Sequence, residues 1–131
     1  GKIVGVEKNP EAVAYARENI EMNSVSDRVE MIEGDVREIC PELGKFDRVL
    51  MPSPTNALEF VDEAVVSVKN GGVLVAYSVQ DEEDLYRPVI EEVREKADEL
   101  DLEVEVLEKR VVADFSPAKR KVAVEFKVNA D

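Results

Sequence analysis

Histidine and tryptophan are absent from this 131-residue chain, and cysteine occurs once, at Cys40. Each absence removes a class of chemistry. Without histidine there is no imidazole metal site, no Ser-His-Asp triad and no imidazole general base within the chain. A lone cysteine forms no internal disulfide framework and suits a reducing compartment; with no partner thiol it reads as a small apolar residue, buried or half-buried. Bases are also scarce. Seventeen Lys and Arg stand against 30 Asp and Glu, a net charge of −13, whose sign opposes the phosphate neutralisation on which nonspecific nucleic-acid binding rests. If the protein handles RNA, most of the grip lies elsewhere. Missing too are an apolar run near the roughly 20 residues that span a bilayer and the charged, apolar, small-residue pattern of a signal peptide. These features predict a cytoplasmic protein with no membrane partner.

What is present suffices for a core. Hydrophobic residues make up 44% of the chain, and its length and lack of repeats, linkers or low-complexity tracts predict a single domain over residues 1–131. The stretch from Ile3 to Glu38, IVGVEKNPEAVAYARENIEMNSVSDRVEMIEGDVRE, reads as strand, helix, strand. Lys2–Val6 is β-branched and ends at Glu7. Asn9 followed by Pro10 gives a helix N-cap and a proline at the first helical position, and the helix runs to about Met22 or Asn23 with Val13, Ala16 and Ile20 on its apolar face. Arg28–Ile32 forms the next strand, and Gly34-Asp35 turns the chain into a short helix from Val36 to about Leu43, limited by Pro41.

Two carboxylates thus end adjacent strands. In a parallel α/β sheet the carboxyl ends of the strands line the ligand crevice. Glu7 offers two acceptor oxygens to the two hydroxyls of a ribose, and Asp35, one strand over, lies where an adenine amino group can be reached. Plainer readings stand beside these: Glu7 as an acid favoured by a helix N-terminus, and Gly-Asp as an ordinary turn. A complete nucleotide-binding unit begins with an earlier strand and a glycine-rich turn. The chain opens at Gly1 with neither, so the expectation is a domain lacking its first βα unit.

Phe46–Met51 is a third strand, ending in Pro52-Ser53-Pro54, a rigid loop that cannot continue a ladder. A helix with the stripe Ala57, Phe60, Val61, Ala64, Val65 and Val68 follows, stopped by Asn70-Gly71-Gly72. Gly72–Ser78 reads as a buried central strand. Asp81 to Asp84 suit the start of a long helix whose core face is Leu85, Val89, Val93, Ala97 and Leu100. The alternation of Leu102–Val112 and Lys119–Val128 predicts an antiparallel hairpin around Ala113–Ala118, with no antiparallel pairing elsewhere. The proline loop either holds an acceptor group in line for transfer, where rigidity lowers the entropic barrier, or is only a stiff turn. Lys109, Arg110, Lys119, Arg120 and Lys121 read as a solvated edge in preference to a phosphate contact. Asp114-Phe115-Ser116-Pro117 either borders the ligand site or forms a plain turn.

An α/β, Rossmann-like sheet, mostly parallel with a C-terminal antiparallel hairpin, is characteristic of class I methyltransferases. The segments GKIVGVEKNPEAVAYARENIEMNSVSDRVEMIEGDVREI and FDRVLMPSPTNALEFVDEAVVSVKNGGVLVAYS, with the DFSP hairpin, resemble the later part of the catalytic domain of the archaeal and eukaryotic tRNA (guanine-N1)-methyltransferases, which modify the base beside the anticodon. The resemblance implies S-adenosylmethionine as methyl donor and tRNA as acceptor. It carries the ribose acid onto Glu7 and the adenine-side acid onto Asp35, with Lys8 and Val36 beside them against the donor. It carries the proline of the family's Asn-Leu-Pro loop onto Pro54, so that Ser53 and Pro54 hold the acceptor. The family's asparagine falls on Pro52 and its leucine on Ser53. The glycine-rich methionine-binding loop, the basic residues and the general-base glutamate of the family all precede residue 1. The chain is therefore expected to be inactive alone, and to need a preceding segment or a second chain, including a copy of itself joined through an exposed sheet edge. The wybutosine-pathway aminocarboxypropyltransferases share the architecture and donor. A noncatalytic methyltransferase-like binding domain is the rival from another functional class.

Overall fold

A computed structural model of the chain describes residues 1–52 and 60–130. They divide into two compact units, Gly1–Leu43 and Gly44–Asp131. The first holds β1 (Ile3–Glu7), α1 (Pro10–Met22), β2 (Val29–Glu33) and α2 (Val36–Leu43). β1 and β2 pair in parallel from Ile3↔Val29 to Glu7↔Glu33, the direction a helical crossover between strands requires. α1 starts where its local signals place it: the Asn9 side chain accepts from Glu11 N at 2.9 Å, and Pro10 occupies the first turn. Val13 is its buried anchor. Pro41 lies inside α2 and does not end it. As the sixth of eight residues it removes one late hydrogen bond, and the helix ends two residues later.

The second unit holds β3 (Phe46–Met51), α3 (Val61–Val66), β4 (Val68–Asp81), α4 (Arg87–Glu99), β5 (Leu102–Ser116) and β6 (Lys119–Ala130). Its sheet runs β3-β4-β6-β5. β3 and β4 are parallel, as expected. Antiparallel pairing, however, is not confined to the hairpin: β6 inserts between β4 and β5 and pairs antiparallel with β4 from Gly72↔Val128 to Asp81↔Lys119. The physical reason lies in β6 itself. Val122, Ala123 and Val124 are all fully buried, so both faces are covered, which suits a central strand and not an edge. Phe126, Val124 and Val122 join Leu74 and Ala76 of β4 in a core closed by Val61 and Val65 of α3 and Val89 and Val93 of α4.

Three further boundaries differ from the sequence reading. Asn70-Gly71-Gly72 does not cap a helix; α3 ends at Val66 with Ser67 as its cap, and the two glycines lie within β4. Between Phe46↔Val68 and Arg48↔Val73 the register slips, and Gly71 at φ +82° and Gly72 absorb the extra residues. Asp81 ends β4, and Glu82 to Asp84 form a turn ahead of α4, because the helix starts only where Pro88 fits its first turn. The hairpin turn is two residues, Pro117-Ala118, so Asp114, Phe115 and Ser116 belong to β5.

At Gly72 the fold leaves no room for a side chain. A Cβ there would sit 2.8 Å from the carbonyl oxygen of Asp47 and 2.9 Å from that of Lys69, backbone atoms with no rotamer to yield. Gly72→Ala is expected to cost about 1–3 kcal/mol, the range for overpacking. A chemical-denaturation midpoint within error of the parent would show that the β3–β4 slip relaxes freely.

Candidate nucleoside-binding site

The carboxyl ends of β1 and β2 are tied together by their own backbone. Gly34 N donates to the carbonyl oxygen of Glu7 at 2.9 Å, one step past the Glu7↔Glu33 pair. This brings the two predicted acids, Glu7 and Asp35, to one end of the same two-stranded sheet. Glu7 is half-exposed. Its Oε1 accepts from Asn9 N at 3.2 Å, and its Oε2 has no hydrogen bond among the described residues. The N-terminal turn of α1 thus orients the carboxylate and leaves one oxygen outward. Lys8, with a mostly exposed side chain, places Nζ 4.0 Å from Asp35 Oδ2. Val36 is half-buried and opens α2.

Asp35 is more enclosed, its side chain 18% exposed. It sits at the mouth of α2, where Oδ1 accepts from Arg37 N at 2.9 Å in the manner of a helix cap. The Arg37 guanidinium folds back over the same carboxylate, Nε to Oδ1 at 3.1 Å and Nη2 to Oδ2 at 2.8 Å. These bonds from the Arg37 side chain and backbone, with Lys8 nearby, hold the Asp35 carboxyl well below the usual carboxylate range. Asp35 is therefore an anion and an acceptor throughout neutral and mildly acidic pH. Sequence reasoning passed over Arg37. The signal was the Asp-Val-Arg spacing at a helix start, where an i, i+2 side chain can reach back to the cap.

Ser53 and Pro54 of the proline loop lie outside the described residues. Pro52 is exposed and follows Met51, the last residue of β3. The basic residues of the hairpin are engaged in the second unit. Arg110 lies 3.6 Å from Glu108 and 3.9 Å from Glu125, and Arg120 lies 3.2 Å from Asp114 and 3.6 Å from Glu82. Lys119 pairs with Asp81 at 3.6 Å, while Lys109 and Lys121 lie over the rings of Tyr86 and Tyr77. Acids and aromatic faces balance these cations; Lys109 and Arg110 lie on β5 at the end of the sheet, whereas Lys119, Arg120 and Lys121 lie on β6, paired on both sides and so not on an edge as expected. No helix among the described residues is long and apolar enough to cross a membrane.

Residues 1–107 match the family model described as the TRM5/TYW2 methyltransferase domain. Among curated proteins, the tRNA (guanine(37)-N(1))-methyltransferase Trm5b of Pyrococcus abyssi is 39% identical over 121 residues, covering 92% of this chain and 36% of that protein. The crystal structure of the same P. abyssi protein superposes with a TM-score of 0.89 at 37% identity, over 98% of this chain and 38% of that one. The structure of P. horikoshii TYW2 in complex with MeSAdo gives a TM-score of 0.90 at 25% identity, over 100% of this chain and 49% of that one. The chain thus spans little more than a third of the length of the methyltransferase it matches.

Proposed function

Because the chain belongs to the TRM5/TYW2 methyltransferase domain family, we propose that its 131 residues act as one S-adenosylmethionine-dependent domain of a cytoplasmic tRNA (guanine-N1)-methyltransferase-like enzyme, with tRNA as the acceptor. The observation that carries this reading is the pair of acids at the joined ends of β1 and β2. Glu7 takes the ribose hydroxyls through its outward oxygen, and Asp35 takes the adenine amino group. Lys8 and Val36 flank the nucleoside. The donor supplies an electrophilic methyl on its sulfonium; the protein's part is to bind and orient, since transfer to a ring nitrogen gains most from alignment at close approach. Ser53 and Pro54 hold the acceptor base. In each unit separately, an outer strand edge unpaired among the described residues, that of β1 in the first and of β3 in the second, can take a further strand, from a longer polypeptide or a second copy.

Glu7→Ala tests the nucleoside half of this reading. It is expected to weaken adenosine or donor binding by about 1.5–3 kcal/mol, the range for hydrogen bonds to a charged group. Thermal stability should hardly change, because the carboxylate is half-exposed and makes a single long bond to Asn9. Calorimetry showing equal affinity in the variant would leave Glu7 as a helix-end acid and remove the ribose contact.

A further inference from the structure

Arg37 has no part in the nucleoside contacts proposed above, yet among the described residues it makes every side-chain hydrogen bond that Asp35 receives. The arithmetic of lone pairs gives it a role. A carboxylate presents about four acceptor sites. Oδ1 of Asp35 is taken twice, by Arg37 N and Nε, and Oδ2 once, by Nη2. Among the described residues one acceptor site remains, on Oδ2. Lys8 Nζ lies 4.0 Å from Oδ2, outside hydrogen-bond range, and the Asp35 side chain keeps 18% exposure.

We infer that Arg37 is a positioning residue that locks the Asp35 carboxylate with one outward acceptor site, and so makes the pocket choose a 6-amino purine over a 6-oxo purine. This rests on the reading that places adenine at Asp35. The 6-amino group brings an N–H to the waiting lone pair. A 6-oxo group brings its own lone pairs against an anion that can neither turn away, being held by a two-toothed fork, nor supply a proton. Lysine would not replace this function, because a point charge does not fix the plane of the carboxylate. The consequence is selectivity for the adenine donor in a cell rich in guanine and hypoxanthine nucleosides, obtained from a residue that never touches the ligand.

The test is equilibrium binding of adenosine and inosine to the 131-residue chain and to three variants, Arg37→Met, Arg37→Lys and Asp35→Asn. The parent is expected to prefer adenosine by about tenfold or more, as a charged hydrogen bond made or lost implies. Arg37→Met should lose most of that ratio, chiefly through weaker adenosine binding, with inosine affinity changed by less than about twofold, since the freed carboxylate no longer presents a fixed acceptor. Arg37→Lys should fall between the two. Asp35→Asn, whose amide can donate to a 6-oxo group, should erase or reverse the preference. An unchanged ratio in Arg37→Met beside a collapsed one in Asp35→Asn would overturn the role of Arg37 while leaving adenine at Asp35. A parent without preference, or Asp35→Asn with the parental ratio, would overturn both. The Arg37 side chain is 59% exposed, so neither Arg37 variant removes packing, and Arg37→Lys preserves the charge if Arg37→Met folds poorly.

Discussion

The 131-residue chain, given S-adenosylmethionine and unmodified tRNA, is expected to show no methyl transfer above background, where the P. abyssi methyltransferase turns over under the same conditions. Three needs go unmet. Guanine N1 must lose a proton to a base, and the chain has no histidine. The Asp35 carboxylate is shifted the wrong way: Arg37 stabilises its anion and makes it a poorer proton acceptor. The methionine end of the donor needs backbone N–H groups from a glycine-rich turn at the carboxyl end of a strand. Gly71-Gly72 lies beside Asp47, at the amino end of the parallel β3–β4 pair. The RNA needs positive surface, while the chain carries −13 and its hairpin cations face acids. Any one deficit would slow the reaction; together they remove it. Radiolabelled methyl incorporation by the chain at a rate comparable with the P. abyssi enzyme would refute this. Intact adenosine binding together with absent turnover is the combination the site geometry predicts.

How much of the fold was legible follows from how local each signal is. Asn9-Pro10 sets the start of α1 because cap and proline act within one turn, and the structure has the helix there to the residue. Phe46–Met51 is likewise a strand between strong punctuation. Glu7 and Asp35 were legible because a strand end is a position in the sequence before it is a position in space. Gly71-Gly72 misled because the same dipeptide serves a helix stop or a strand irregularity, and the choice rests on contacts with Asp47, more than twenty residues away. The insertion of β6 between β4 and β5 is a pairing decision that hairpin alternation does not encode. Its trace was the unbroken burial demand of Val122-Ala123-Val124, which an edge strand would not make. Arg37 needed both: the cap had to be placed before the reach of the guanidinium had meaning.

The same hairpin supplies the sharpest contrast in stability. Phe126 and Phe115 lie on β6 and β5, one fully buried and the other 56% exposed. Phe126 stands opposite Leu74 of β4 and Val106 of β5, in the core that α3 and α4 close. Truncation to alanine removes a ring that none of these neighbours can follow inward, because each is fixed by its own strand ladder or helix. Phe126→Ala is therefore expected to cost about 3–5 kcal/mol, transfer and cavity terms together. Phe115 is the extra residue of a bulge, between Asp114↔Arg120 and Ser116↔Lys119, and its ring points outward from the ladder. Phe115→Ala should change stability by no more than about 0.5 kcal/mol, as surface substitutions do. Because the chain divides into two units, a single melting curve can blend their transitions. Amide hydrogen exchange read at Leu74, Ala76, Val124 and Val128 isolates the second unit. A drop in protection equivalent to under about 1 kcal/mol at these amides in Phe126→Ala, or a drop of more than about 1 kcal/mol in Phe115→Ala, would mean that β6 is not the centre of this sheet's core.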